Sequence, residues 1–184
     1  MNKVVVFFAE GFEEIEGLTV VDLLRRAGIQ VEMVTIKEDS LFVTGAHKIQ
    51  IKADTYAKDV DYSNVDMVVL PGGMPGTLNL GSCKLVTDTV MDFYKAGKFI
   101  AAICAAPSIL GDLGIMEGKH GECYPGFEDR LKGATVKMEK VAVDENVITS
   151  RGMGTAIEFS CALIEKLMGK EKAEEIATSI IYKM

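Results

Sequence analysis

Three short runs of the chain, Lys3 to Phe8, Asp66 to Leu70 and Phe99 to Ile103, are apolar at almost every position. A strand buried on both faces has no polar alternation, so each run predicts a central strand of a parallel sheet. Val31 to Ile36 alternates more and predicts a second strand beside the first. Between the strands, apolar residues recur at helical spacing. Ile15, Leu18, Val21 and Leu24 mark a helix from about Glu13 to Ala27, which Gly28 ends. Val86, Val90 and Phe93 mark a second over Leu85 to Ala96, which Gly97 ends. Ser108 to Leu113 opens a third. Ile157, Cys161, Ile164 and Met168 predict one face of a fourth, closed by Gly169, and Lys170 to Lys183 predicts a last amphipathic helix. Leu41 to Thr44 and Lys48 to Ile51, around Gly45, read as a small hairpin off the main sheet. Asp54 to Val65 reads as a loop with a short helix, and Gly118 to Gly133 is loop-rich. Ala134 to Ala142 and Glu145 to Ser150 predict further strands about a turn at Asp144-Glu145-Asn146.

Strands alternating with helices predict an α/β fold with a mostly parallel sheet covered on both faces. Ligands bind such sheets beyond the carboxyl ends of the strands. Three unusual features fall at that level. Acidic residues Glu13, Glu14 and Glu16 open the helix after the first strand. Gly72-Gly73 comes after Leu70, either a plain strand-to-helix turn or a place where backbone must approach something closely. Cys104 comes directly after Ile103, flanked by Ala101, Ala102, Ala105 and Ala106. A nucleophile on a sharp strand-to-helix turn needs such small neighbours. Taken alone, Cys104 reads equally well as a small buried hydrophobe; the convergence favours the nucleophile. The next helix's N–H groups then predict a lowered thiol pKa. The N–H groups of Gly73 and Ala105 are placed to stabilise an oxyanion. Glu16 is the acid expected to point over the sheet end. Buried beside a thiolate, its pKa should rise, so that it donates a hydrogen bond to sulfur. Glu13 and Glu14 read as exposed first-turn residues.

Composition narrows the reading. At 184 residues the chain predicts one domain over 1–184. A net charge of -7 with dispersed lysines offers no footprint for nucleic acid. No apolar run approaches the ~20 residues of a membrane helix. The N-terminus reads as a strand, not a signal peptide. Cys83, Cys104, Cys123 and Cys161 show no paired spacing and predict free thiols in a reducing, cytoplasmic compartment. His47 and His120 are not spaced for a structural zinc site.

The segments E-G-F-E-E-I-E at 10–16, R-R-A-G at 25–28, L-P-G-G at 70–73, A-I-C-A-A-P at 102–107 and T-S-R-G-x-G-T at 149–155 carry a resemblance. In this order and spacing the chain resembles the ThiJ/PfpI family, in the branch of Parkinson disease protein 7 and its bacterial relatives. The resemblance implies a flavodoxin-like three-layer sandwich of the class I glutamine amidotransferase-like kind, usually a homodimer. It implies a Cys104–Glu16 pair, with Gly73 and Ala105 as oxyanion donors and Gly72 beside them. It places Ser150 and Arg151 near the site and the dimer contact. It implies no cofactor or metal. The activities it suggests are glyoxalase III-type hydration of methylglyoxal, deglycation of glycated adducts, and redox-linked protection.

One departure is visible. Where some members have a His-Pro dipeptide near the cysteine, this chain has Tyr124-Pro125, and neither His47 nor His120 stands there. A phenol, with an ordinary pKa of about 10, is a poor base near neutrality. The departure predicts weak dicarbonyl turnover. A non-enzymatic redox sensor or chaperone needs only an accessible, oxidisable Cys104 and is the alternative. A cysteine peptidase is disfavoured, because the histidine that should come after the nucleophile is Ala105.

Overall fold

The computed structural model describes residues 2–182. Seven strands form the main sheet: β1 (Lys3–Phe8), β2 (Gln30–Thr35), β5 (Thr55–Tyr56), β6 (Met67–Leu70), β7 (Phe99–Ile103), β8 (Val141–Asp144) and β9 (Val147–Ser150). A hairpin of β3 (Phe42–Thr44) and β4 (Gln50–Lys52) stands apart. The sheet order is β5-β2-β1-β6-β7-β9-β8, all parallel except β8 against β9. The helices are α1 (Glu14–Arg26), α2 (Gly76–Ser82), α3 (Lys84–Lys95), α4 (Pro107–Asp112), α5 (Ala156–Met168) and α6 (Lys170–Ser179).

Alternation along β1 divides the core. Val4, Val6 and Phe8 pack with Leu24 of α1, Phe159 and Leu163 of α5 and Ile176 of α6. Val5 and Phe7 face the other side, with Leu80 of α2, Val90 and Phe93 of α3 and Leu110 of α4. The result is the flavodoxin-like three-layer sandwich. Its strand order reverses between β1 and β6, because β2 lies on one side of β1 and β6 on the other. The crevice beyond that switch is where such sheets take ligands.

Several elements differ from expectation. The run Pro71 to Gly76 leads into an unexpected helix, α2, and Thr55–Tyr56 adds an edge strand where a loop was expected. Ala134 to Lys140 is not strand; only Thr135 makes a bridge, to His120. The next strand, β8, starts at Val141 and runs through Asp144, so the turn is Glu145-Asn146. On α1, Ile15 is 52% exposed, and the buried apolar face is Val20, Val21, Leu23 and Leu24. Met168 is likewise exposed; α5 buries Phe159, Cys161, Leu163 and Ile164. The last helix stops at Ser179, and the Lys183 end expected for it lies outside the described residues.

Candidate active site

Cys104 comes directly after β7 with φ of +66°, in the left-handed region. A non-glycine residue held there costs about 1–3 kcal/mol and persists only where its surroundings over-determine it. Here they do. The Cys104 N–H donates to the Ser150 carbonyl at 2.9 Å, and the Cys104 carbonyl accepts the Tyr124 N–H at 2.7 Å. Ala101, Ala102, Ala105 and Ala106 are buried, so the doubling backbone meets only methyl groups. Pro107 then begins α4, where its missing N–H costs nothing.

Glu16, in the first turn of α1, is only 1% exposed. Its Oε2 accepts the Gly72 N–H at 2.9 Å, and its carboxyl faces the Cys104 side chain closely enough for the two to shift each other's titration. Gly72 fits between them because it has no side chain: a Cβ there would lie 2.6 Å from Cys104 Cβ and 2.7 Å from Glu16 Oε2. The backbone N–H groups of Gly73 and Ala105 lie near enough to the sulfur to favour its charged form.

Burial pushes the Glu16 carboxyl up to about 7. Burial, and then the Glu16 charge beside it, push the Cys104 thiol up to about 12 against the pull of the two N–H groups. The lowered thiol pKa expected from a helix terminus alone is therefore not what the whole site produces. The two acids titrate as a pair. One proton leaves near pH 7; the second leaves far higher, because it would put two negative charges in one buried place. Taken group by group, burial alone leaves the first charge on the Glu16 carboxylate and the thiol protonated. The Gly73 and Ala105 N–H groups pull the other way, toward charge on sulfur with the proton on Glu16.

The raised Glu16 pKa has a consequence for stability. The folded protein holds this proton more tightly than the unfolded chain, whose carboxyl titrates near 4.5. The contribution is complete below about pH 4.5 and is lost as pH rises through about 7. The native protein should lose ~3 kcal/mol relative to Glu16→Gln across that window. Urea unfolding of both proteins at pH 4.5 and pH 8 checks this; parallel stability curves would refute the raised pKa.

The pair lies at the floor of a cavity of about 590 Å³ lined by Ile15, His47, Ile49, Met74, Tyr124, Phe127 and Met153 among others. Glu14, expected to be exposed, is 4% exposed. Its Oε1 accepts the N–H groups of His47 and Ile49, and its Oε2 lies 3.1 Å from His47 Nδ1. This bond holds the His47 imidazole pKa above its usual range. Glu13, Glu14 and His47 could offer a cation one atom each within 4.8 Å. The Glu14 oxygens are already engaged with His47 and Ile49, so the trio anchors the hairpin tip to α1 and does not form an open donor set.

The whole chain, and not only this site, is shared with known proteins. Residues 2–166 match the DJ-1/PfpI family. The chain belongs to that family. It is 38% identical over 182 residues to Protein DJ-1 homolog B of Arabidopsis thaliana, covering 98% of this chain but 41% of that protein. The chain thus spans about two-fifths of that relative's length. It is 33% identical over 169 residues to Glutathione-independent glyoxalase DJR-1.2 of Caenorhabditis elegans, covering 91% of this chain and 89% of that one. The solved structure of oxidized Toxoplasma gondii DJ-1 superposes with a TM-score of 0.95 at 35% identity, covering all of both chains.

In this DJ-1/PfpI chain, the fold brings Cys104, Glu16, Gly72, Gly73, Ala105 and Tyr124 together. Ser150 touches the site only through its carbonyl; its buried hydroxyl bonds Lys140 and Thr155. The Arg151 guanidinium turns away to buried Glu122, at 3.4 Å, and does not line the cavity. Sequence reasoning missed Gly152, where a Cβ would lie 3.4 Å from the Tyr124 ring and 3.9 Å from Glu16 Oε1. Its place in the R-G-M-G turn was the available signal. It also missed Met74, Phe127 and Met153, apolar residues in loops and turns, whose apolarity outside any periodic run was the available signal. Among the described residues no helix is long and apolar enough to cross a membrane.

Proposed function

We propose that the protein uses Cys104 as a nucleophile on reactive dicarbonyls, hydrating methylglyoxal to lactate, and on glycated adducts of the same chemistry. The observation that carries this reading is a strained cysteine at a cavity floor, faced by a buried carboxyl and two backbone N–H groups. The name of the Caenorhabditis elegans relative supports it. The Cys104 sulfur adds to the aldehyde carbon. A C–S bond forms, and the carbonyl electron pair moves to oxygen, where the Gly73 and Ala105 N–H groups hold it. Glu16 gives that oxygen its proton, yielding a hemithioacetal. The hydrogen on this carbon then leaves as a proton, and one returns to the neighbouring ketone carbon. The first carbon is thereby oxidised to a thioester and the second reduced to an alcohol. Water cleaves the thioester, releasing lactate and restoring the thiol. No external oxidant or reductant enters. Steady-state methylglyoxal assays test the reading: the native protein should turn over slowly and Cys104→Ser not at all. Equal rates would end it.

The exposed side chains of Ile15, Ile49 and Met153 at the cavity mouth support a homodimer covering that face. Light scattering at micromolar concentration should give twice the chain mass; a monomer mass would contradict it.

A second reading, a redox sensor, is favoured by the accessibility of this thiol. Cys104 and Cys83 are both half-buried and Cys123 and Cys161 are buried, but Cys104 opens on the larger cavity, beside the Glu16 carboxyl. Graded peroxide should oxidise Cys104 first, to sulfenic and then sulfinic acid. Peptide mass spectrometry finding Cys83, Cys123 or Cys161 oxidised earlier would remove Cys104 from both readings.

A further inference from the structure

Adjoining the Cys104 cavity is a second, smaller one of about 120 Å³, lined by Met74, Thr77, Ser108, Ile109 and Phe127, with Asp112 and Arg130 at its wall. Met74 and Phe127 line both cavities. Thr77 is 3% exposed, and its hydroxyl has no hydrogen-bond partner. A buried hydroxyl without a partner carries a desolvation penalty that folding normally avoids, so the position asks for an occupant. Ser108, also buried, borders the same space.

The two hydroxyl residues are not placed at random relative to the reacting centre. The Thr77 N–H donates to the Gly73 carbonyl, and the Ser108 N–H donates to the Ala105 carbonyl. Each therefore sits about one helical turn, ~5 Å, from one of the two residues whose N–H groups hold the oxyanion. Arg130 and Asp112 are paired with each other, so the compartment presents no free charge of either sign. What remains is an apolar wall of Met74, Ile109 and Phe127 with hydroxyl groups set into it. That combination fits a short carbon chain bearing a hydroxyl, which both donates and accepts.

We propose that this compartment receives a hydroxylated arm of the substrate held at Cys104, so that the site is shaped for 2-oxoaldehydes longer than methylglyoxal. The proposal rests on the dicarbonyl reading of Cys104. A carbonyl at the Gly73 and Ala105 N–H groups would extend its arm between Met74 and Phe127. A hydroxyl further along that arm would meet Thr77. Substrates of this class carry sugar-derived chains, which links the compartment to the sugar-modified adducts proposed above.

The test compares methylglyoxal, which has no arm, with 3-deoxyglucosone, a six-carbon 2-oxoaldehyde with a hydroxylated chain. Thr77→Val keeps the shape and removes the hydroxyl, whereas Thr77→Ser keeps the hydroxyl. Thr77→Val should lower the ratio of kcat/KM for 3-deoxyglucosone over methylglyoxal about fivefold, the worth of one hydrogen bond, and Thr77→Ser should retain the native ratio. The same contrast should appear in calorimetric binding of 3-deoxyglucosone to Cys104→Ser protein, where no turnover is needed. That second measurement separates the two claims: absent turnover in the native protein would sink the dicarbonyl reaction, while binding still reports on the compartment. Equal binding of 3-deoxyglucosone with and without the Thr77 hydroxyl would overturn the proposal and leave the compartment to about four waters.

Discussion

Gly72→Ala should reduce Cys104 reactivity and dicarbonyl turnover by at least ~10²-fold while leaving the protein folded. The added Cβ would stand 2.6 Å from Cys104 Cβ, 2.7 Å from Glu16 Oε2 and 3.0 Å from the Ile103 carbonyl. None of the three can yield easily. Cys104 is pinned through Ser150 and Tyr124, Ile103 is inside β7, and Glu16 is bonded to Gly72 itself. The cysteine and the carboxyl must move apart, and a shift of about 1 Å at reacting groups costs on the order of 10²-fold in rate. Overpacking of this kind costs ~1–3 kcal/mol of stability, which a folded domain of this size survives. Thiol alkylation kinetics, turnover and a thermal melt together read the result. A variant that melts a few degrees lower yet alkylates at the native rate would show that the Glu16 contact is not what makes the thiol reactive.

Tyr124→His should raise methylglyoxal turnover, on the order of 10²-fold. The carbon-bound proton of the hemithioacetal must move before water can act. A positioned base with a pKa near the working pH typically contributes ~10²–10⁴-fold. Tyr124 borders the cavity, and its N–H is bonded to the Cys104 carbonyl, so its side chain starts beside the reacting sulfur. A phenol orients a carbonyl but does not readily take a proton at neutral pH. Glu16 is left as the native shuttle, and the native rate should be low. Tyr124→Phe removes one hydrogen bond and should cost about fivefold. Assays of the three proteins, with Cys104→Ser as the blank, check both directions. Fast native turnover that Tyr124→Phe leaves untouched would show that the proton takes another route.

Much of this site was legible in the sequence because it is built at strand ends. Buried strands announce themselves as unbroken apolar runs, and the residues just beyond β1, β6 and β7 must lie at one edge of the sheet. Glu16, Gly72-Gly73 and Cys104 could be placed together on that ground. The parts that stayed hidden depend on contacts between distant segments. Glu14 is buried because the backbone of the β3–β4 hairpin tip, 33 and 35 residues away, folds onto its carboxylate. Ile15 fits the helical repeat of α1 yet lies at the cavity mouth, since periodicity gives a face but not its partner. The short α2 was hidden by three glycines and two prolines just before and at its start. The family resemblance places Arg151 near the site, but its partner, buried Glu122, comes from the loop-rich segment that carries no pattern. The thiol pKa was misjudged for the same reason: the helix terminus is local and visible, whereas burial and the Glu16 charge belong to the assembled site.

The central claim is that Cys104 and Glu16 share one proton at neutral pH, with the negative charge available on sulfur. Thiolate absorbance, followed against pH as the difference between native protein and Cys104→Ser, measures this directly. A Cys104 thiolate signal should appear with a midpoint near pH 7, the first proton lost by the pair. Glu16→Leu, which removes the donor, should move that midpoint upward. A native signal absent until about pH 12 would place the charge on Glu16 alone and contradict the claim.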